Sequence, residues 1–188
     1  RDKEHETWRA RIDATNGEVL ELRDTNEYAK VNGGANTLGV ESVRPMPFAN
    51  VSSGGSTNAA SANTSAGGTV SSPLNGEFVR ISDACGAISQ SSDVDGNILF
   101  GTSGGTDCTT PGSGGAGNTH SARTQFYHLN RAKEAARGWL NRPWLSQQLT
   151  ANVNINLTCN AFWNGATVNF YRAGGGCGNT GEIEAVSL

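Results

Sequence analysis

The chain reads as an α+β protein, β-rich with one long helix. Three observations predict this. The 188 residues include 25 Gly and only 16% charged side chains, a composition of strands and loops more than of helices. Ala151 to Leu157 alternates strictly: Ala151, Val153, Ile155 and Leu157 point one way, Asn152, Asn154 and Asn156 the other. That is the two-residue period of a half-buried strand. Only Ser121 to Asn141 carries a long helical stripe, with Ala122, Phe126, Leu129, Ala136 and Leu140 at spacings of three, four and seven.

The elements follow in chain order. Thr7 to Ala14 alternates, with Trp8, Ala10 and Ile12 on one face; Asn16-Gly17 turns, and Glu18 to Leu22 returns. This predicts a hairpin. From Tyr28 to Val51 the pattern weakens, and Arg44-Pro45-Met46-Pro47-Phe48 reads as an extended connector, since each proline disfavours helix just before it. Ser52 to Ser72 is almost all Ser, Gly, Asn, Thr and Ala. It cannot bury a core of its own, so it reads as a flexible loop with room for short strands. Glu77 to Ser82 and Gly96 to Phe100 read as strands. Gly112 to Gly117 formally matches G-x-G-x-x-G but lacks the buried strand a nucleotide loop needs directly before it, and reads as a glycine loop under the helix. Asn118 or Thr119 caps the helix, and Arg142-Pro143 stops it. After the Asn-rich strand, Asn164-Gly165 signals a tight hairpin with positive φ at both positions, and Val168 and Phe170 alternate on the returning strand.

Composition excludes several function classes. A net charge of −3 without a basic run argues against nucleic acid and anionic membranes. No apolar run has the length of a membrane-spanning helix. The chain begins at Arg1, so the lack of a signal peptide carries no information. Cys85, Cys108, Cys159 and Cys177 allow three pairings. Sequential pairing is preferred because each pair then brackets a Gly-rich segment. No C-x-x-C spacing favours zinc instead. Disulfides imply an oxidising compartment.

The run Asn160-Ala161-Phe162-Trp163-Asn164-Gly165 resembles the edge-strand motif of thermolysin-like zinc metallopeptidases, the gluzincins. The wider run, from Thr124-Gln125-Phe126-Tyr127-His128-Leu129 through Gly174 to Ile183, resembles a bacterial branch related to the fungalysins. Trp8 to Leu20 resembles the closing strands of their propeptides, which end in W-x-V-x-V-D-A-x-T-G; here Ala10 and Ile12 fill the apolar positions and Asn16 precedes the glycine. The resemblance implies a β-rich N-terminal lobe of a gluzincin catalytic domain, preceded by a propeptide hairpin. The implied division is a propeptide-like segment over 1–45, a linker or loop over 46–73 and part of a catalytic domain over 74–188.

It further implies a secreted, monomeric zinc endopeptidase and zymogen, acting on polypeptide and held by its own propeptide. Asn160 would bond substrate backbone, Ala161 would offer its carbonyl beside the scissile bond, and Phe162 and Trp163 would shape the cleft. The family's His-Glu-x-x-His, which holds zinc and activates water, is absent; His5, His120 and His128 are the only histidines and do not fit it. Asn179 or Thr180 caps what reads as the first turns of a helix over Glu182 to Leu188, after which relatives carry the zinc motif. The chain is therefore expected to be a fragment cut before its metal site, with no catalytic residue or metal ligand of its own, inactive alone, and with its zinc ligands downstream. Glu184 falls near a family calcium ligand, equally explained as a helix-start carboxylate. The competing expectation is a secreted, disulfide-bridged adhesion or carbohydrate-binding module without catalysis. A protease inhibitor or free propeptide is a further rival.

Overall fold

The computed structural model describes residues 8–24, 29–50, 63–64, 69–71, 74–86, 89–91, 97–103, 108, 110 and 119–183. It is a mixed α and β structure with one long α-helix among the described residues. The first hairpin forms as expected. β1 (Trp8–Ile12) and β2 (Val19–Asp24) pair antiparallel across a turn where Gly17 has φ +76°. Its apolar Ile12, Val19 and Leu20 are all exposed.

The weakly patterned stretch after it contains a second hairpin, and Arg44-Pro45 of the extended segment end its second strand. β3 (Ala29–Thr37) and β4 (Val40–Pro45) pair antiparallel, and Val31, Ala35, Met46 and Ala49 are fully buried. Gly33 and Gly34 hid this strand from a hydropathy reading. They are glycine because Arg123, Phe100 and Met46 pack on one and Glu41 on the other, leaving no room for a Cβ. Two short strands do lie in the low-complexity region: β5 (Asn63–Thr64) pairs β3, and β6 (Thr69–Ser71) pairs β8 (Ser89–Ser91). β9 (Ile98–Leu99) adds to β3 in parallel. The glycine loop at 112–117 lies outside the described residues.

The sheet that matters most here has the order β11-β12-β10-β7. β7 (Val79–Asp83), β10 (Leu149–Ile155) and β12 (Thr167–Tyr171) run parallel, and β11 (Ala161–Trp163) runs antiparallel at one edge. Parallel neighbours need a crossover; α1 (His120–Trp139) supplies the one from β7 to β10. After β10 the chain passes over the place of its future neighbour, returns as β11, and fills the gap with β12.

Two details of this sheet differ from the sequence expectation. The alternation of β10 fails after Val153: Asn154 has φ +56°, the register shifts between Asn152 and Ile155, Asn154 is buried, and Leu157 is exposed. A bulge inserts a residue and inverts the faces beyond it. At the hairpin only Gly165 has positive φ, +95°, while Asn164 accepts from the N–H groups of Ala166 and Thr167. The turn is therefore centred on Gly165-Ala166, one residue later than expected, with glycine at its first central position.

The core is continuous through the hairpin, helix and sheet. Val31, Ala35, Met46, Leu74, Val79, Ile81, Phe100, Phe126, Leu129, Ala151, Val153 and Phe170 form one buried cluster. The α1 stripe is only partly as expected. Ala122, Phe126 and Leu129 face this core, but Ser121, Arg123, Thr124 and Gln125 are equally buried, and Leu140 is exposed. The helix start is enclosed on all sides by β3, the sheet and the 3-10 turn Thr180–Glu182. That turn stands where the sequence predicted a longer helix to begin; Asn179 caps it, and residues 184–188 lie outside the described part.

Candidate functional site

β11 is an edge strand, and among the described residues no strand pairs with its outer side. Its register decides which backbone groups face out. Tyr171 N–H donates to Asn160 O at 3.2 Å and Asn164 N–H to Thr167 O at 3.3 Å, with Phe162 opposite Asn169 between them. In an antiparallel ladder hydrogen-bonded pairs alternate with unbonded ones. Residues 160, 162 and 164 therefore turn their groups toward β12. Ala161 and Trp163 turn their N–H and C=O outward.

Side chains alternate across the same strand. Phe162 shares a face with Asn169, Asn152 and Ser82, its register partners. It is 41% exposed and meets Tyr171 edge-on, ring centroids 5.9 Å apart. Trp163 is 57% exposed, Asn160 is exposed and Ala161 is half-buried. The four residues singled out in the sequence thus sit together on one open edge. On the Phe162 face an amide chain stiffens the sheet: Asn152 Nδ2 donates to Asn169 Oδ1 at 2.8 Å, and Asn169 Nδ2 donates to Thr167 O at 2.9 Å.

Both disulfides join sequential cysteines, Cys85–Cys108 and Cys159–Cys177. The second closes the β11–β12 hairpin at its open end, since Cys159 precedes β11 and Cys177 follows β12. Cys159 has φ +66°, and Gly174, Gly175 and Gly176 all have positive φ. At Gly174 a Cβ would press on Thr158.

A buried polar cluster that sequence reading missed joins this hairpin to the rest. Thr119 caps α1 and donates to Asp83 Oδ2 at 2.8 Å; Asn154 Nδ2 donates to Asp83 Oδ1 at 2.9 Å; Asn179 Nδ2 donates to Asn154 Oδ1 at 2.7 Å. The bulge at Asn154 is what turns that amide inward. A second cluster surrounds Glu41. Burial alone would raise its carboxyl pKa. Hydrogen bonds from Ser103 Oγ and N–H and from Arg123, with His120 nearby, instead hold it below the ordinary glutamate value.

The described residues do not fit a zinc site. No group of three His, Cys, Asp or Glu among them is placed to hold a metal, and all four cysteines are in disulfides. His128 Nε2 donates to Asn36 O at 2.6 Å. The two ring nitrogens of His120 face different carboxylates, Nε2 being 3.9 Å from Glu41 and Nδ1 4.0 Å from Glu182. One ion cannot use one imidazole nitrogen and both of those carboxylates at once. His5 and Glu184 lie outside the described residues. No helix among the described residues is long and apolar enough to cross a membrane. Compared with family models, curated proteins and solved structures, the chain finds no match in any of the three.

Proposed function

We propose that β11 is a docking edge for an extended polypeptide, belonging to a secreted zinc-dependent endopeptidase whose metal ligands are carried by residues other than these 188. The observation that carries this reading is the outward N–H and C=O of Ala161 and Trp163 on an open strand edge. An extended peptide can add itself there as a further strand, gaining main-chain hydrogen bonds with little sequence preference. Asn160 would bond the substrate backbone, Ala161 would present its carbonyl beside the bond to be cut, and Phe162 and Trp163 would line the flanks. The two disulfides fit an oxidising compartment, which agrees with secretion.

The test uses the chain extended by whatever its gene encodes after Leu188. Casein cleavage that a chelator abolishes, and that falls at least about tenfold on Asn160→Ala, is the expected result. Undiminished cleavage by Asn160→Ala removes the docking role. A linker or stop in place of His-Glu-x-x-His favours the adhesion or carbohydrate-binding module.

A further inference from the structure

We infer that Thr180 is the positioning residue for the docking edge, tying Asn160, the residue that leads into β11, to the helix-and-sheet core; its consequence for substrate rests on the docking reading. The Thr180 hydroxyl is wedged into the last rung of the β11–β12 ladder. It accepts from Tyr171 N–H at 2.8 Å. Its own proton faces Asn160 O at 3.0 Å and Tyr171 O at 3.1 Å. The same Tyr171 N–H also reaches Asn160 O, at 3.2 Å. The hydroxyl thus joins both strands at the rung where the ladder ends.

Thr180 is itself immobilised from three directions. Asn179 donates to Asn154 of β10 at 2.7 Å, Gln125 of α1 donates to Gly181 O at 2.8 Å, and Asn36 of β3 donates to Glu182 O at 2.8 Å. A Cβ at Gly181 would collide with Ser121, so the turn lies directly on the start of α1. The three anchoring elements belong to the core, and the hydroxyl passes their position on to Asn160 beside the direct Tyr171 N–H bond. With Asn160 O held inward, the ladder alternation sends the Ala161 groups outward. The Cys159–Cys177 bridge closes the same end through the neighbouring residue and makes no hydrogen bond to Asn160 O.

Thr180→Val keeps the shape and deletes the hydroxyl; Thr180→Ser restores it. In the 188-residue chain, amide exchange at Tyr171 is expected to speed up about tenfold in Thr180→Val, the worth of one hydrogen bond, and to return in Thr180→Ser. Exchange at Val153, in the core, should not change, which separates a local release from general destabilisation. In the extended chain, Thr180→Val should raise KM for casein about tenfold with kcat within about twofold, the signature of lost docking. Unchanged exchange at Tyr171 overturns the positioning role whatever the kinetics. Faster exchange with unchanged KM upholds the tie and overturns the docking reading. If the extended chain cleaves nothing, the docking reading fails and the exchange result alone decides the tie.

Discussion

Arg123 is fully buried, yet it carries a charge in the middle of the fold. Its guanidinium meets Glu41 at 3.0 Å and its Nε donates to Gly34 O at 2.7 Å. Desolvating a guanidinium is costly, and removing one partner of such a pair leaves that cost uncompensated. Glu41→Gln is therefore expected to destabilise by about 3 kcal/mol, measured by urea denaturation at neutral pH. The sign with pH follows from the depressed carboxyl. A folded pKa below the unfolded value adds stability that is complete above the ordinary glutamate range, about pH 4 to 5, and is lost as pH falls through the folded value. The stability gap between wild type and Glu41→Gln should accordingly narrow on acidification. A gap that stays constant down to acid pH would show that the carboxylate charge is not what Arg123 needs.

At the scale of elements, the β11–β12 hairpin depends on one glycine. Gly165 has φ +95° with nothing near its missing Cβ. Gly165→Ala therefore meets no clash, and its cost is purely conformational, about 1 kcal/mol or somewhat more. A smaller loss by thermal denaturation would mean that the turn re-forms on another residue. This hairpin was largely legible in the sequence, because Asn164-Gly165 and the alternating Val168 and Phe170 are local signals. The exposed edge was legible only through the motif resemblance. The β10 bulge was not legible, since Asn152, Asn154 and Asn156 look equivalent until Asp83, Thr119 and Asn179 select one of them. The same holds for Thr180: as a sequence feature it is a capping residue, and only the folded topology brings it to Asn160. For β3, glycines demanded by Arg123 and Glu41 erased the periodicity on which a strand reading depends.

At the scale of the whole molecule, the segment following β4 decides whether the second hairpin and the helix-sheet unit behave as one body. Met46 and Ala49 are fully buried among the same residues as Phe126 and Val79. Asn50 N–H donates to Asn75 O at 2.8 Å and Glu77 N–H to Phe48 O at 3.1 Å, lacing the segment to the strand entering β7. A Cβ at Gly76 would strike the Phe48 carbonyl oxygen, so that lacing requires glycine there. Phe48 and Phe78 then pack edge to face at 4.8 Å, with Arg137 of α1 over the Phe78 ring. Contacts of this density make the hairpin part of the same cooperative unit as the sheet. Met46→Ala is expected to cost about 3 kcal/mol through the cavity it leaves. It should speed the globally exchanging amides of β10 and β12 by the same factor as those of β3, because all open in one transition. If β3 alone exchanged faster while Val153 and Phe170 kept their protection, the two parts would be separately folding bodies that merely touch, and the edge strand would owe nothing to the hairpin beneath α1.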